Sequence, residues 1–265
     1  MKRYTSNEHI EKLPSAPLQE VIFEIRWDLN INSASNRESD EGFAIALGKL
    51  DTLLKNDFPH VVCKIPGGFP TDLLNYSTLY QFWKGENIWP VLQLGPGIFT
   101  VNDTDKKYCW KDTFFPLIEE STNKLFEAYN QKINLNFCSL RYIDAVKLKD
   151  YQVTVKDNLL PFIHNSLKIE LHNHFDILSP MESLNLNQTF GLKDGSVLNI
   201  NIATGSDKKT HDPALVWQTA MVKKGRFTRN EMIEWCIHAH EIISPLFKEM
   251  TRGKFYDSFT RSASV

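Results

Sequence analysis

The segment that most constrains the fold is residues 17–29. In it Val21, Phe23, Ile25, Trp27 and Leu29 alternate with Ile22, Glu24, Arg26 and Asp28. In an extended chain Phe23 and Ile25 point to one side, and Glu24 and Arg26 point to the other. Such a strand needs an apolar core on one side and a polar environment on the other. The segment therefore predicts a strand of a sheet that buries one face.

The same pattern returns in the second half of the chain. Residues 138–142 align with residues 23–27, a separation of 115 positions from Phe23 to Cys138. Each copy places an arginine, Arg26 or Arg141, between two apolar residues. We interpret the two segments as the anchor strands of an internally duplicated fold.

The elements predicted on either side repeat in the same order. After an N-terminal lead (1–15), a first repeat (16–131) and a second repeat (132–265) each contain a strand, a helix, three or four strands and a helix, packed as one continuous domain. Apolar spacing predicts strands at 61–64, 77–83, 88–94, 98–102, 135–148, 183–192, 197–204 and 215–223, and helices near 41–54, 110–129, 158–167 and 228–250. Ser39 or Asp40 is placed to cap the first helix, and Thr228 with Glu231 has capping-box spacing before the last.

This order predicts an α+β fold. Internally duplicated β-α-β(3-4)-α units would form a curved antiparallel sheet with helices on one face. The arrangement is similar to the TATA-binding-protein-like architecture. That similarity concerns architecture alone and implies no function.

Composition excludes several classes of protein. The 265 residues are 42% hydrophobic, enough for a substantial core. Thirty basic and 32 acidic residues give a net charge of -2, so no global positive field exists to attract nucleic acid. The first residues lack the apolar centre of a signal peptide, and no run approaches the roughly 18 apolar residues of a membrane span. We expect a cytoplasmic protein with no membrane partner.

Motifs of common enzymes are missing from the sequence. No GxSxG elbow, Walker lysine or dinucleotide fingerprint occurs, and the four cysteines lack CxxC spacing. We expect those thiols to be reduced and mostly buried, and we predict no catalytic residue, metal ligand or cofactor. Carboxylates brought together from distant strands leave no spacing pattern, so an enzyme is disfavoured without being excluded.

Two histidine groups are candidates for a polar site. His240 and Glu241 lie on the last helix, but HExxH spacing fails because position 244 is serine. The stronger prediction for His240 is a hydrogen-bonded structural histidine near Ser244. His172 and His174 would share one side of an extended segment and could bind a metal with a third ligand, but a solvated loop is the better prediction.

The two arginines are candidates for binding. On the sheet face opposite the helices, Arg26 and Arg141 could hold a phosphate backbone or an acidic peptide. Pairing with Glu24, Asp28 or Asp144 on the sheet surface explains them equally well. Only their surroundings can separate these two interpretations.

Several short segments together resemble a known family. They are Leu13-Pro14-x-Ala16-Pro17-Leu18-x-Glu20-Val21 with Phe23-Glu24-Ile25-Arg26, Gln93-Leu94-Gly95-Pro96, Tyr108-x-Trp110, Leu140-Arg141-Tyr142-Ile143 and His240-Glu241-x-Ile243-Ser244-x-x-Phe247. The chain resembles, over nearly its whole length, a sporadically distributed prokaryotic family of about 250-residue proteins of unknown function. The resemblance implies no activity or catalytic residue. The patchy distribution implies mobile genes, as in phage defence or toxin-antitoxin contexts.

Three functional hypotheses follow from the sequence. The first is a non-enzymatic binding or adaptor protein that holds a protein partner through its sheet surface or edge. The second is nucleic-acid binding on a concave sheet face, which requires a local basic patch. The third is a hydrolase or nuclease of unrecognised type, which requires a pocket where His172, His174 or His240 meets carboxylates. The oligomeric state is left open.

Overall fold

A computed structural model describes residues 12–32, 36–65, 73–104, 108–172, 174 and 178–261. Most of the predicted N-terminal lead and the end of the second repeat lie outside the described residues. The described chain forms one open, nine-stranded antiparallel sheet, a small two-stranded sheet and five α-helices. The predicted α+β class and antiparallel sheet are confirmed.

The elements follow the predicted order closely. The strands are β1 (Leu18–Trp27), β2 (Asn30–Asn32), β3 (Arg37–Ser39), β4 (His60–Cys63), β5 (Tyr80–Gly85), β6 (Ile88–Gly95), β7 (Ile98–Asp103), β8 (Leu135–Lys147), β9 (Asn185–Gly191), β10 (Val197–Ser206) and β11 (Pro213–Phe227). The α-helices are α1 (Phe43–Leu54), α2 (Phe115–Ala128), α3 (Leu159–Leu167), α4 (Arg229–Thr251) and α5 (Lys254–Thr260). A π-helical turn (Trp110–Phe114) precedes α2, and a 3-10 turn (Leu148–Tyr151) follows β8. The β2–β3 hairpin and α5 are additions that the sequence did not predict.

The two strands with the repeated pattern lie side by side in the middle of the large sheet. Its strand order is β4-β5-β6-β7-β1-β8-β11-β10-β9. Glu24 of β1 is paired with Ser139 of β8, and Phe23 is paired with Leu140. Phe23 and Leu140 are fully buried in the main core. The alternation predicted for β1 therefore buries one side of the sheet centre, as expected.

Helix α4 covers this apolar side. The Thr228 hydroxyl accepts a hydrogen bond from the Glu231 backbone N–H at 3.2 Å, and a Glu231 carboxylate oxygen accepts one from the Thr228 N–H at 2.7 Å. The predicted capping box is thus present and starts the helix in register. Trp235 in the second turn donates through Nε1 to the Ser196 hydroxyl at 2.9 Å, which ties α4 to the start of β10.

Neither residue predicted to cap the first helix does so. Helix α1 begins after Gly42, without a side-chain cap. Asp40 Oδ2 instead accepts three hydrogen bonds, from Trp27 Nε1 at 3.1 Å, the Gly97 backbone N–H at 3.1 Å and the Tyr129 hydroxyl at 2.8 Å. The carboxylate therefore joins β1, the β6–β7 turn and the end of α2. Three donors outcompete a single capping bond, which explains why the prediction was wrong.

Cysteine burial agrees only in part with the expectation. Cys138 and Cys236 are buried, Cys109 is half-buried and Cys63 is exposed, and all four are free thiols. Burial raises the pKa of the Cys138 and Cys236 thiols, so both stay protonated and unreactive at neutral pH. None of the described helices is long and apolar enough to cross a membrane.

Replacing Asp40 by alanine tests its role at this junction. Trp27 and Tyr129 are buried, so Asp40→Ala leaves two buried donors without an acceptor. We expect the free energy of unfolding to fall by about 2–4 kcal/mol in urea titrations. Asp57→Ala is the control, because the Asp57 carboxylate pairs with Lys124 at the surface and should cost less than about 1 kcal/mol. Equal losses in the two variants would contradict the assignment.

Candidate functional site

A cavity of about 530 Å³ lies between the sheet and α4. Its sheet side is formed by Tyr142 and Asp144 of β8 and by Thr219 of β11. Residues two apart on a strand point to the same side, and Thr219 is paired with Tyr142. All three side chains are nearly inaccessible from outside the protein. The apolar face of the sheet therefore carries a cluster of polar groups here.

Helix α4 forms the opposite wall. His240, Ser244 and Phe247 line the cavity at spacings of four and three, together with Ile243 and Lys248. This spacing places the side chains on one face of the helix. The stretch from His240 to Lys248 runs about 12 Å along the axis, at 1.5 Å per residue.

The remaining walls come from two segments outside the regular elements. Leu13, Ala16 and Pro17 enter from the chain before β1, and Tyr108 and Trp110 enter from the chain before α2. The Ser15 backbone N–H donates to the Phe259 carbonyl at 3.0 Å, which holds the first segment against α5. The cavity is thus bounded by parts of both halves of the chain.

A hydrogen-bonded chain crosses the cavity wall. The Tyr108 and Tyr142 hydroxyl oxygens are 2.8 Å apart, and the Tyr142 oxygen is 3.0 Å from His240 Nδ1. The Trp110 ring stacks on the His240 imidazole, with centroids 4.0 Å apart and planes 8° from parallel. The histidine is consequently fixed in both position and ring orientation.

This environment keeps His240 neutral. Burial, with a further contribution from the positive charge of Lys248, lowers the pKa of His240 to about 4. Burial also raises the pKa of the Tyr108 and Tyr142 hydroxyls. At neutral pH the chain consists of two protonated phenols and an uncharged imidazole, which together can pass or share protons.

Asp144 is the most unusual group in the cavity. It is 5% exposed and forms no hydrogen bond or ion pair with any other described residue. Burial raises its pKa from 3.8 to about 8, because the charged form loses its hydration. The carboxyl group is therefore mostly protonated at neutral pH and offers both a donor and an acceptor to the cavity.

Of the residues predicted to form a polar site, one lines the cavity and the other three do not. His240 lines the cavity, whereas Glu241 next to it is exposed and outside the lining. His172 and His174 are exposed, with ring centroids 6.4 Å apart, and His172 Nε2 lies 2.7 Å from Glu170 Oε1. Within the described part of the chain, no group of three or more His, Cys, Asp or Glu residues could hold a metal ion.

The two arginines lie on the sheet face opposite the cavity. Arg26 Nε donates to Glu24 Oε1 at 2.6 Å, and its guanidinium lies 4.8 Å from the centroid of the Phe137 ring. Arg141 faces the same way, opposite Ile22, and its buried Nε has no hydrogen-bond partner in the described chain. Arg26 thus has the surface ion pair that was the alternative to binding. Arg141 does not pair with Asp144, which points to the other face.

The sequence did not single out this cavity. Tyr142 appears there only within a segment of the family resemblance, and Asp144 appears only as a partner for an arginine. The feature of the sequence that could have indicated the cavity is the set of segments that carries the family resemblance. Except for residues 93–96, each of these segments contributes to the lining: Leu13, Tyr108, Tyr142 and His240 represent the four that do.

Comparison with models of protein families, with curated proteins and with solved structures gave no match to this chain. The functional argument therefore depends on the geometry of the site.

The raised pKa of Asp144 predicts a pH-dependent stability. The folded-state pKa of about 8 lies above the ordinary 3.8, so this group destabilises the fold progressively as pH rises from about 4 to 8. His240 acts in the opposite sense only below its ordinary pKa of 6.5. Between pH 6.5 and 8 we expect Asp144→Asn to gain about 1–2 kcal/mol of unfolding free energy relative to wild type. Asp150→Asn, at an exposed position, should not change the difference.

Urea titrations at pH 6.5 and 8 measure this gain. Taking the difference between variant and wild type removes the contributions of all other titrating groups. Parallel pH profiles for wild type and Asp144→Asn would show that Asp144 ionises normally in the folded protein.

Proposed function

We propose that this protein binds a small organic molecule in the cavity between its sheet and α4. The observation that carries the proposal is Asp144, a buried carboxyl group that has no partner among the described residues and lines a cavity large enough for a ligand. Ligand sites typically occupy about 300–1,000 Å³ and combine apolar walls with a few convergent polar groups. A bound ligand would supply the hydrogen bonds that the protein does not provide for Asp144.

The walls indicate what kind of ligand fits. Trp110 and Phe247 offer aromatic surfaces, and Ile243 and Leu13 offer aliphatic ones. The protonated Asp144 offers a short, oriented hydrogen bond. A ligand with a planar or apolar body and at least one polar end satisfies all of these groups.

Catalysis on the bound molecule is a second candidate function, favoured by the pKa of Asp144. A carboxyl group with a pKa of about 8 suits a general acid at neutral pH. The enzyme hypothesis required a pocket where one of three histidines meets a carboxyl group, and His240 and Asp144 both line this cavity. Binding is the common first step of both candidates.

The internal duplication is also proposed here, on the pairing of the central strands. The repeat aligns Glu24 with Ser139, and these two residues are direct partners across β1 and β8. Strand β7 then flanks β1 on one side, and β11 flanks β8 on the other. A twofold relation between the halves would produce this symmetrical arrangement, in the manner of a TATA-binding-protein-like sheet.

Binding of a protein or a nucleic acid through the opposite sheet face stays a prediction. On that face Arg26, Arg141, Lys147 and Lys224 accompany Glu20 and Glu24 along β1, β8 and β11, and Lys147 is paired with Asp207 and Asp212. This near balance of charges does not supply the basic cluster that nucleic acid requires. A protein partner is compatible with this charge balance. Membership of the family that the sequence resembles also stays a prediction.

Filling the cavity tests the main proposal. Ser244→Trp places an indole in the cavity from α4, whereas Glu241→Trp places one on the exposed side of the same helix. A metabolite library is screened by thermal unfolding with the full-length protein. A ligand present at 100 times its Kd should raise the wild-type Tm by about 5–10 °C. The same ligand should shift Glu241→Trp equally and Ser244→Trp by less than about 1 °C.

Native mass spectrometry of protein purified from its own host provides the second measurement. A one-to-one small-molecule adduct on wild type and Glu241→Trp, lost in Ser244→Trp, supports the proposal. Ligands that stabilise all three proteins equally would place binding elsewhere and reject the cavity as the site.

A further inference from the structure

The charged groups that line the cavity are unequally divided. Lys12, Lys111 and Lys248 contribute three positive charges, and Asp144 is the only carboxyl group among the described lining residues. Burial holds Asp144 mostly protonated at neutral pH and His240 uncharged. Lys12 and Lys111 are exposed and take part in other interactions. Lys248 is therefore the cation of the lining that is best able to contact a ligand.

Lys248 is the best placed of these cations. It follows His240 and Ser244 at four-residue intervals, so it lies on the face of α4 that lines the cavity. It forms no ion pair with another described residue. Its charge already acts within the cavity, since it contributes to the lowered pKa of His240.

We infer that the ligand is a small organic anion whose aromatic or apolar body lies near Trp110 and His240 and whose acidic group lies toward Lys248. This assignment depends on the proposed binding function and specifies its ligand class.

The geometry fits such a molecule at both ends. The stacked rings of Trp110 and His240 form a flat aromatic surface at one end of the α4 face that lines the cavity. Lys248 stands about 12 Å further along the helix, the length of two fused rings with a substituent. Protonated Asp144, which also lines the cavity, can donate a hydrogen bond that an anionic oxygen accepts strongly, whereas an ionised carboxylate would repel it.

Two dyes of nearly the same shape test the charge preference. Anilinonaphthalene sulfonate is an aromatic anion, and N-phenylnaphthylamine has the same rings without the sulfonate. Each is titrated by fluorescence into the folded, full-length protein at neutral pH. We expect one-to-one binding of both, with the anion bound about five- to tenfold more tightly.

Substitutions at Lys248 identify the source of the preference. Lys248→Met should weaken binding of the anionic dye about five- to tenfold and change binding of the neutral dye by less than about twofold. Lys248→Arg should restore binding of the anion, because the charge returns. Lys55→Met, at an exposed position outside the cavity, is the matched control and should leave both affinities unchanged.

The outcomes separate this inference from the function on which it rests. If Ser244→Trp abolishes binding of both dyes while Lys248→Met affects neither, the cavity binds ligands and the anion preference is wrong. If the anionic dye binds Ser244→Trp as it binds wild type, the dye lies outside the cavity and the inference fails. If neither dye binds wild type, both the inference and the proposed cavity function are contradicted. Thermal unfolding of each variant confirms that it is folded.

Discussion

The antiparallel pairing of β1 with β8 is the interaction on which the rest of the structure depends. These strands occupy the middle of a nine-stranded sheet, and their register, with Glu24 opposite Ser139, decides which side chains enter the core. A shift of one residue would exchange the two faces of β8. Tyr142 and Asp144 would then move to the sheet face that Arg141 occupies in this structure. The cavity would lose the polar groups that β8 contributes. The central register therefore determines the site as well as the fold.

The buried position of Asp144 lowers the stability of the folded state. A carboxyl group buried without a partner destabilises the folded state at neutral and higher pH, and an apolar residue of similar size would avoid that cost. Groups of this kind are concentrated at functional sites, where local stability is lower than the fold could reach. The Tyr108–Tyr142–His240 chain beside it differs, because each of its bonds is satisfied within the protein. Asp144 is thus the ionisable group of the cavity whose burial is not offset by a partner among the described residues.

The sequence predicted the scaffold better than the site, for a physical reason. Alternation in β1 and the capping box of α4 are local patterns, produced by the boundary between core and solvent and by the first turn of a helix. The cavity is formed by residues from six separated segments, and periodicity carries no information about empty space between them. Asp144 has the same polar character in sequence whether it pairs with Arg141 at the surface or faces inward. Its orientation follows from the parity of β8, since residues 141 and 144 are an odd number of positions apart. The same rule, applied to the predicted strand, would have separated the two side chains.

The opposite sheet face shows why unmet polar groups, and not polar groups in general, locate a binding site. There Gln81 donates to Gln93, Gln93 to the Thr100 hydroxyl, and Asn102 to Glu20, so the polar side chains of four adjacent strands satisfy one another. Arg26 is likewise held by Glu24, whereas the buried Arg141 Nε and Ser139 hydroxyl on this face have no hydrogen-bond partner among the described residues. These groups would have to give up existing bonds before binding a partner, which reduces the net gain from any new contact. Asp144 has no such bond to lose, and Lys248 no ion pair. A ligand in the cavity would therefore contact both groups without breaking existing bonds within the protein, which favours the cavity over the broader surface.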